Sequence, residues 1–408
     1  MKVLYVCPFA HDLASYSYMS IYETKALHEA KVDVELLTYK GLLDKTNAGI
    51  RQYTVYKYTN ILLRLLYYLA GLLRKSRYTR MLAKMLEYYL TLKVAIKLNR
   101  EHNYDIIHLR EGDPFLFILY LLNLRLRDFN WAVVLIGAEL TVNNSILTKI
   151  MNSTLCKVIA NKSSKYNNFV YLTENRAIEN CFRPYISKGI YYLPLGISEV
   201  ERVISKTEAR KHLEISMVKT VLLCFGSPHT GKDWEVIYHT LHNVPDVILL
   251  QAGNQRLDDR GLNLQLPNTI ELSKKYNIQD RVIIDNKYIS EKEKPYYFFA
   301  ADAIILSYTK EFISNASMLW EACRFQLPVI CSDNEQLKQT IIKYNLGLYF
   351  WAQDSSSLRE SIMYFTTLEQ EEITAFKDGC RKFSKDHSSK QWAKQCLLIY
   401  SYIKDNGR

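Results

Sequence analysis

The sequence alternates short apolar, β-branched runs with longer stretches of helical periodicity, in two successive series. The candidate strands of the first series are 2–8, 32–39, 104–110, 132–137, 169–173 and 190–194, and those of the second are 220–226, 246–253, 281–285, 302–308, 328–333 and 347–350. Near-continuous apolar strands separated by helices are typical of parallel sheets covered on both faces. The sequence therefore predicts an α/β protein with two doubly wound, Rossmann-like domains.

The rhythm breaks at Pro194 and Gly196, which lie between the two series. We predict an N-terminal domain at 1–197 and a C-terminal domain at 198–386. The remaining residues, 387–408, form an amphipathic helix with no third domain to join, so this helix is expected to pack back onto one of the two domains.

The cysteines and histidines argue against a metal site. The eight cysteines include no C-x-x-C pair, and the nine histidines form no H-x₃-H or H-E-x-x-H pattern. Most of the cysteines lie in apolar runs, which is typical of reduced, buried thiols in a cytosolic protein. The opening residues MKVLYVCPF resemble a buried strand more than a secretory signal. No segment reaches the roughly 18 consecutive apolar residues that a membrane-spanning helix needs.

Positive charge is concentrated in residues 51–100. This window holds eleven Lys and Arg against one acid, Glu87, so it carries +10 of the net +11. Basic residues interleaved with aliphatic and tyrosine side chains favour an interfacial helix on anionic lipid. A solvated basic face over an ordinary core is the alternative. Nucleic acid is a third reading, but no recognised binding module accompanies the charge, so we expect no nucleic-acid partner.

The segment GSPHTGKDW at 226–234 follows a predicted strand and precedes a predicted helix. It has the G-x-x-x-x-G-K spelling of a phosphate-binding P-loop, but Asp233 stands where that motif has Ser or Thr to hold Mg²⁺. Gly226 permits a sharp turn, the helix start offers free N–H groups, and Lys232 supplies a cation. These features predict an anion site and argue against an NTP-hydrolysing site.

The segment 301–334 reads as strand, polar loop, helix and strand. Glu311 lies in the loop, and Ser314, Asn315, Ala316 and Ser317 form a small, polar helix start whose amides can meet an anion or sugar hydroxyls. Glu321 lies among apolar residues of this helix. A carboxylate in such a place can accept two neighbouring hydroxyls, as a ribose presents; the alternative is an ordinary surface position.

The sequence at this point resembles the retaining glycosyltransferases of family 4. The resemblance rests on the FG-x₅-K loop at 225–232, DRV at 280–282, AADAIILS at 300–307 and LWEACRFQLPVICSD at 319–333, and more loosely on YDIIHLR and YYLPLGIS in the first half. It implies the GT-B fold, in which two Rossmann-like domains face across a cleft, the C-terminal one holds the sugar nucleotide, and the last helix crosses back to the first domain.

The resemblance also assigns the donor site residue by residue. It implies that Lys232 binds the diphosphate, with His229 as a second phosphate ligand, and that Glu321 binds the ribose hydroxyls. Ile313 stands where the family has another glutamate, so its role falls to Glu311 or to Ser314 and Asn315. The catalytic candidates are Lys232, His229, Glu321 and Glu311. The residues expected to contact the donor are Gly226, Ser227, Tyr288, Ile289, Ser314, Asn315, Ala316, Ser317, Met318 and Glu321, with the backbone at 288–289 facing the nucleobase.

The acceptor side departs from the family pattern. His11, Ser15 and Tyr16 stand where the family has a glycine pair, and the family's His-Gly after the fourth strand is Ile136-Gly137 here. Glu139 follows and has either a polar role in the acceptor cleft or the role of a helix cap.

Together these observations predict a metal-independent, retaining transfer of a sugar from a UDP- or GDP-linked donor to a hydroxyl acceptor, with no cofactor. The basic segment lies in the acceptor-side domain, so the expected acceptor is a lipid-linked or growing glycan, and the expected location is the cytoplasmic face of the cell membrane. Two alternatives remain: a non-catalytic GT-B subunit that binds a partner or lipid, and a sugar-nucleotide epimerase or phosphorylase on the same fold.

Overall fold

A computed structural model describes most of the chain. The described residues are 1–10, 14–42, 49–58, 65–66, 68–69, 77–110, 118, 129–135, 168–186, 189–226, 231–253, 269–310, 312 and 316–406. Of these, the residues of 1–196 and 389–406 form one compact unit, unit 1, and those of 197–388 form another, unit 2.

Unit 1 is built on a seven-stranded sheet in which all the described pairings are parallel, in the order β3-β2-β1-β4-β5-β6-β7. The strands are β1 (Lys2–Cys7), β2 (Asp33–Thr38), β3 (Gln52–Thr54), β4 (Ile106–Leu109), β5 (Trp131–Leu135), β6 (Phe169–Thr173) and β7 (Ile190–Tyr192). All residues of β4, β5 and β6 are buried, as expected for parallel strands covered on both faces. The helices α1 (Ala14–Glu29), α2 (Val55–Tyr58), α3 (Arg77–His102) and α4 (Arg176–Phe182) complete the first part of this unit.

Unit 2 is built on a six-stranded parallel sheet in the order β10-β9-β8-β11-β12-β13. Its strands are β8 (Thr220–Phe225), β9 (Val247–Ala252), β10 (Val282–Asp285), β11 (Ala303–Leu306), β12 (Val329–Ser332) and β13 (Gly347–Phe350). Its helices are α5 (Lys206–His212), α6 (Trp234–His242), α7 (Thr269–Lys275), α8 (Lys294–Ala300), α9 (Ser317–Arg324), α10 (Glu335–Tyr344), α11 (Ser355–Thr367) and α12 (Gln370–Asp386).

The last helix, α13 (Ser389–Asn406), belongs to unit 1, where it packs against α1. Its buried side chains Trp392, Cys396 and Tyr400 are part of the hydrophobic core of that unit. The Tyr400 hydroxyl lies 2.6 Å from Nδ1 of His108 on β4. The predicted return of the C-terminal helix to the first domain is therefore confirmed, as is the prediction of two parallel α/β sheets.

The strand order reverses direction in each sheet, between β1 and β4 in unit 1 and between β8 and β11 in unit 2. In open α/β sheets, ligands bind beyond the carboxyl ends of the strands at this switch point. The two motifs of the second half, at 226–234 and 307–324, follow β8 and β11 directly. The topology therefore brings both motifs to the switch point of unit 2.

None of the described helices is long and apolar enough to cross a bilayer.

Candidate functional site

The segments that follow β8 and β11 are joined by backbone hydrogen bonds. Lys232 forms an antiparallel bridge with Tyr308. The amide of Asp233 donates to the carbonyl of Ser307 at 3.0 Å, and the amide of Thr309 donates to that of Gly231 at the same distance. These bonds fix the position of Lys232 relative to the strand ends on both sides of the switch point.

Two glycines allow the backbone to pack closely beside this lysine. Gly226 has φ +87° and Gly253, at the end of β9, has φ +141°. A Cβ on Gly253 would lie 2.7 Å from the carbonyl carbon and oxygen of Gly226, whereas a Cβ on Gly226 would lie 3.8 Å from both Lys232 Nζ and Met318 Sδ. Gly226, Lys232 and Met318, three of the predicted donor-site residues, therefore lie together in the structure.

The ammonium of Lys232 is held by the backbone. Its Nζ donates to the carbonyl oxygen of Phe225 at 2.7 Å and lies 5.5 Å from the centre of the Trp234 ring. Burial lowers the pKa of Lys232 from its ordinary 10.5 to about 8, against an opposing effect of the Cys224 thiol. Burial weakens the hydration of this cation, so an anion that reaches it gains more than it would from an exposed lysine.

Asp233 is the N-cap of α6. Its Oδ1 accepts a hydrogen bond from the amide of Val236 at 3.2 Å, and burial raises the pKa of its carboxyl group. This geometry accounts for an aspartate where a P-loop has Ser or Thr, because the side chain caps the helix. Within the described part of the chain, no group of three or more His, Cys, Asp or Glu residues could hold a metal ion.

The start of α9 contributes backbone amides to the same region. Ala316 is its N-cap, and an alanine has no side chain that could cap the helix. Ser317 and Met318 follow as the first two helical residues, so their amides have no acceptor within the helix and lie at the positive end of the helix dipole. Because Met318 Sδ lies near Gly226, this helix start faces the glycine that follows β8.

Glu321 is buried in α9, with 7% of its surface exposed. Its Oε2 lies 3.3 Å from Nη1 of Arg324 and 3.4 Å from Nζ of Lys294. The surface-residue alternative for Glu321 is therefore wrong. Sequence reasoning missed both cations; the only local signal was the i,i+3 spacing of Glu321 and Arg324.

Tyr288 and Ile289 follow β10, the edge strand beside β9. Tyr288 is 40% exposed, whereas Ile289 is buried. Several further candidates lie outside the described residues, namely His11, Glu139, Ser227, His229, Glu311, Ser314 and Asn315. Ser15 and Tyr16 lie in α1, but their side chains are outside the described part.

A charged cluster at the strand ends of unit 1 was not predicted. Arg110 directly follows β4, and its Nη1 donates to Oε1 of Glu23 on α1 at 2.7 Å. Its Nη2 donates to Oε1 of Glu174, which directly follows β6. All three residues are buried. Burial raises the pKa of Glu23 to about 7 and also raises that of Glu174.

Comparison with solved structures supports the fold. Over 99% of both chains, the protein superposes on sucrose-phosphate synthase from Thermosynechococcus elongatus with a TM-score of 0.72 at 17% identity. It superposes on Anabaena HepE in complex with UDP and glucose with a TM-score of 0.71 at 14% identity, over 98% of this chain and 99% of that one. These are GT-B glycosyltransferases, and their likeness shows that this chain has the GT-B fold.

The same fold includes proteins of other activities. A putative UDP-N-acetylglucosamine 2-epimerase from Listeria monocytogenes superposes with a TM-score of 0.58 at 11% identity, over 99% of this chain and 97% of that one. No protein-family model matches the sequence, and no curated protein matches it either.

Proposed function

We propose that the protein is a retaining glycosyltransferase of family 4 that transfers a sugar from a nucleoside diphosphate sugar to a hydroxyl acceptor. The observation that carries this proposal is the meeting of Lys232, Gly226 and Met318 at the switch point of unit 2. Glu321 is buried on the helix that begins there. A cation, an accessible turn and a helix start suit a diphosphate, and a buried carboxylate nearby suits the two hydroxyls of a ribose.

The reaction needs a group that stabilises the departing diphosphate. Lys232 and the amides at the start of α9 would stabilise the negative charge that develops on the departing diphosphate when the bond from the anomeric carbon to the phosphate oxygen breaks. That phosphate oxygen can take the proton of the acceptor hydroxyl while the acceptor oxygen bonds to the anomeric carbon on the same face of the sugar, which retains the anomeric configuration. In this mechanism no metal ion is required, because the lysine and the helix dipole supply the positive charge.

The fold also fits an epimerase. Among the solved structures with this fold, HepE represents the glycosyltransferases and the Listeria protein represents the epimerases. An enzyme assay separates them. A panel of UDP- and GDP-linked sugars is incubated with the protein, with and without glycan and lipid-linked acceptors. A transferase releases nucleoside diphosphate when the acceptor is present and loses this activity in Lys232→Ala. Conversion of the donor sugar without acceptor would favour the epimerase, and binding of no nucleotide would favour the non-catalytic subunit.

We further propose that the acceptor is a lipid-linked or growing glycan and that the protein acts at the cytoplasmic face of the cell membrane. Support comes from the basic segment 51–100, in which exposed Lys57, Lys93, Lys97 and Arg100 occur with exposed Leu65, Tyr68 and Leu69. Anionic lipid attracts such a surface with about 1 kcal/mol per cation.

Liposome flotation tests this membrane association. Replacing Arg74, Lys75, Arg77 and Arg80 by Gln is expected to abolish binding to phosphatidylglycerol vesicles at low salt. The control removes the same charge from exposed positions of unit 2, with Lys211, Lys274, Lys382 and Lys385 changed to Gln, and is expected to bind as the wild type does. Equal binding by both quadruple variants would refute the proposal.

A further inference from the structure

Four charged residues form a buried network in unit 2: Glu291, Lys294, Glu321 and Arg324. The exposed fractions of their side chains are 20%, 10%, 9% and 4%. Arg324 Nη1 lies 2.9 Å from Oε2 of Glu291 and 3.3 Å from Oε2 of Glu321. Lys294 Nζ pairs with Glu291 and lies 3.4 Å from the same oxygen of Glu321. The network contains two carboxylates and two cations.

The guanidinium of Arg324 is also anchored to the backbone. Its Nε donates to the carbonyl of Ser198 at 3.2 Å, and its Nη2 donates to that of Glu199 at 3.1 Å. All three nitrogens of the side chain therefore have acceptors. These hydrogen bonds hold the planar guanidinium in a single orientation, and the single ammonium group of a lysine could not make them all.

We propose that Arg324, together with Lys294, is a positioning residue that holds the carboxylate of Glu321 for the nucleotide's ribose. The proposal rests on the proposed function. It adds that Glu291, three residues after Tyr288, joins the segment expected to face the nucleobase to this carboxylate through Arg324. A shift of Glu291 would move the carboxylate of Glu321 through Arg324, and the reverse also holds, so recognition of the base and of the ribose are coupled.

The physical reason lies in the geometry of the carboxylate. Both cations contact Oε2, which fixes the orientation of the group, and a carboxylate has about four acceptor positions in total. A preorganised acceptor binds a hydroxyl more tightly than a mobile one, because its ordering cost is met during folding. Glu321 therefore discriminates for a ribose only while Arg324 and Lys294 hold it.

Discrimination between ribo- and deoxyribonucleotides is the measurement that tests this role. Calorimetry compares UDP and GDP with their 2′-deoxy forms and with inorganic pyrophosphate. The wild type is expected to prefer the ribonucleotide by about tenfold or more, as for a hydrogen bond to a charged group. In Arg324→Met this preference should fall to about threefold or less, with the affinity for pyrophosphate unchanged, since pyrophosphate binds through Lys232. Arg324→Lys should recover only part of the preference.

Arg381→Met is the matched control, because this arginine of unit 2 is 62% exposed and pairs with Asp378 at the surface. It should retain the preference of the wild type. Lys294→Met leaves the backbone anchors of Arg324 in place and carries the same test if Arg324→Met does not fold. An undiminished preference in either folded variant overturns the inference while leaving the proposed function intact. Failure of the wild type to bind any nucleoside diphosphate would overturn both.

Discussion

The lowered pKa of Lys232 predicts that diphosphate binding is linked to proton uptake. With a pKa of about 8, about half of the Lys232 side chains are deprotonated at pH 8, and only about 3% at pH 6.5. We expect the diphosphate of a bound nucleotide sugar to favour the charged form and to return the pKa of Lys232 toward 10.5. Binding of a nucleotide sugar, whose diphosphate is esterified at both ends and does not titrate in this range, should therefore take up about half a proton at pH 8 and almost none at pH 6.5.

The energy behind this linkage follows from the same values. Restoring the pKa of Lys232 from about 8 to 10.5 corresponds to at most about 3 kcal/mol of interaction with the anion. The residue is partly exposed, so solvent screening reduces this figure. The sign follows from the lysine alone: affinity for a nucleotide sugar should be nearly constant well below pH 8 and fall as the pH rises through 8.

Isothermal titration calorimetry in Tris and in HEPES measures the proton uptake, since the two buffers differ in ionisation enthalpy. Lys232→Arg is the matched variant: it keeps a cation at the site but has no titration in this range, so its binding should be independent of the buffer. A wild type without uptake at pH 8, or a Lys232→Arg variant with the same uptake, would refute the reasoning.

Three further predictions concern stability. Burial raises the pKa of Glu23 to about 7, so the free energy of unfolding of the wild type should fall by up to about 3 kcal/mol as the pH rises from 4.5 to about 7. Glu23→Gln has no carboxyl group to titrate, so urea denaturation of this variant should not show that fall. Gly253→Ala should lower the free energy of unfolding by about 2 kcal/mol or more. Gly41 also has a positive φ, but an added Cβ there meets nothing within 4 Å, so Gly41→Ala should lower it by less. Thermal denaturation compares the two variants. Trp392→Ala should destabilise unit 1 by about 3 kcal/mol or more, while Leu398→Ala, 67% exposed on the same helix, should have little effect; equal effects would contradict the packing of α13.

The strands of both sheets could be predicted from sequence because parallel strands buried on both faces are continuous apolar runs. Four of the helices and strands named above were missed, among them the four-residue helix α2. Strand β3 has three residues, α5 is short and highly charged, and α12 spreads its buried Phe376, Cys380 and Phe383 through a charged sequence. These elements form because tertiary packing buries one face of a polar segment. The local pattern of apolar residues in the sequence does not predict such packing.

The candidate site shows the same division. Lys232 and Gly226 are close together in the sequence, so their spacing could be read directly, and the glutamate of α9 was visible as a charge in an apolar helix. The pairing of Lys294 with Glu321 joins different elements, and Arg110 meets acids 87 and 64 residues away in sequence. Such contacts depend on the order of the strands in the sheet, which cannot be predicted from a local sequence motif.

Calorimetric titration of the wild type and of Lys232→Ala with UDP and GDP tests most directly that Lys232 holds the diphosphate of a sugar nucleotide. We expect the wild type to bind at least one of the two and Lys232→Ala to bind it roughly 100-fold more weakly. Lys382→Ala, an exposed lysine of the same unit, should bind as the wild type does. Equal affinities in the wild type and in Lys232→Ala, or no binding by the wild type, would contradict the assignment.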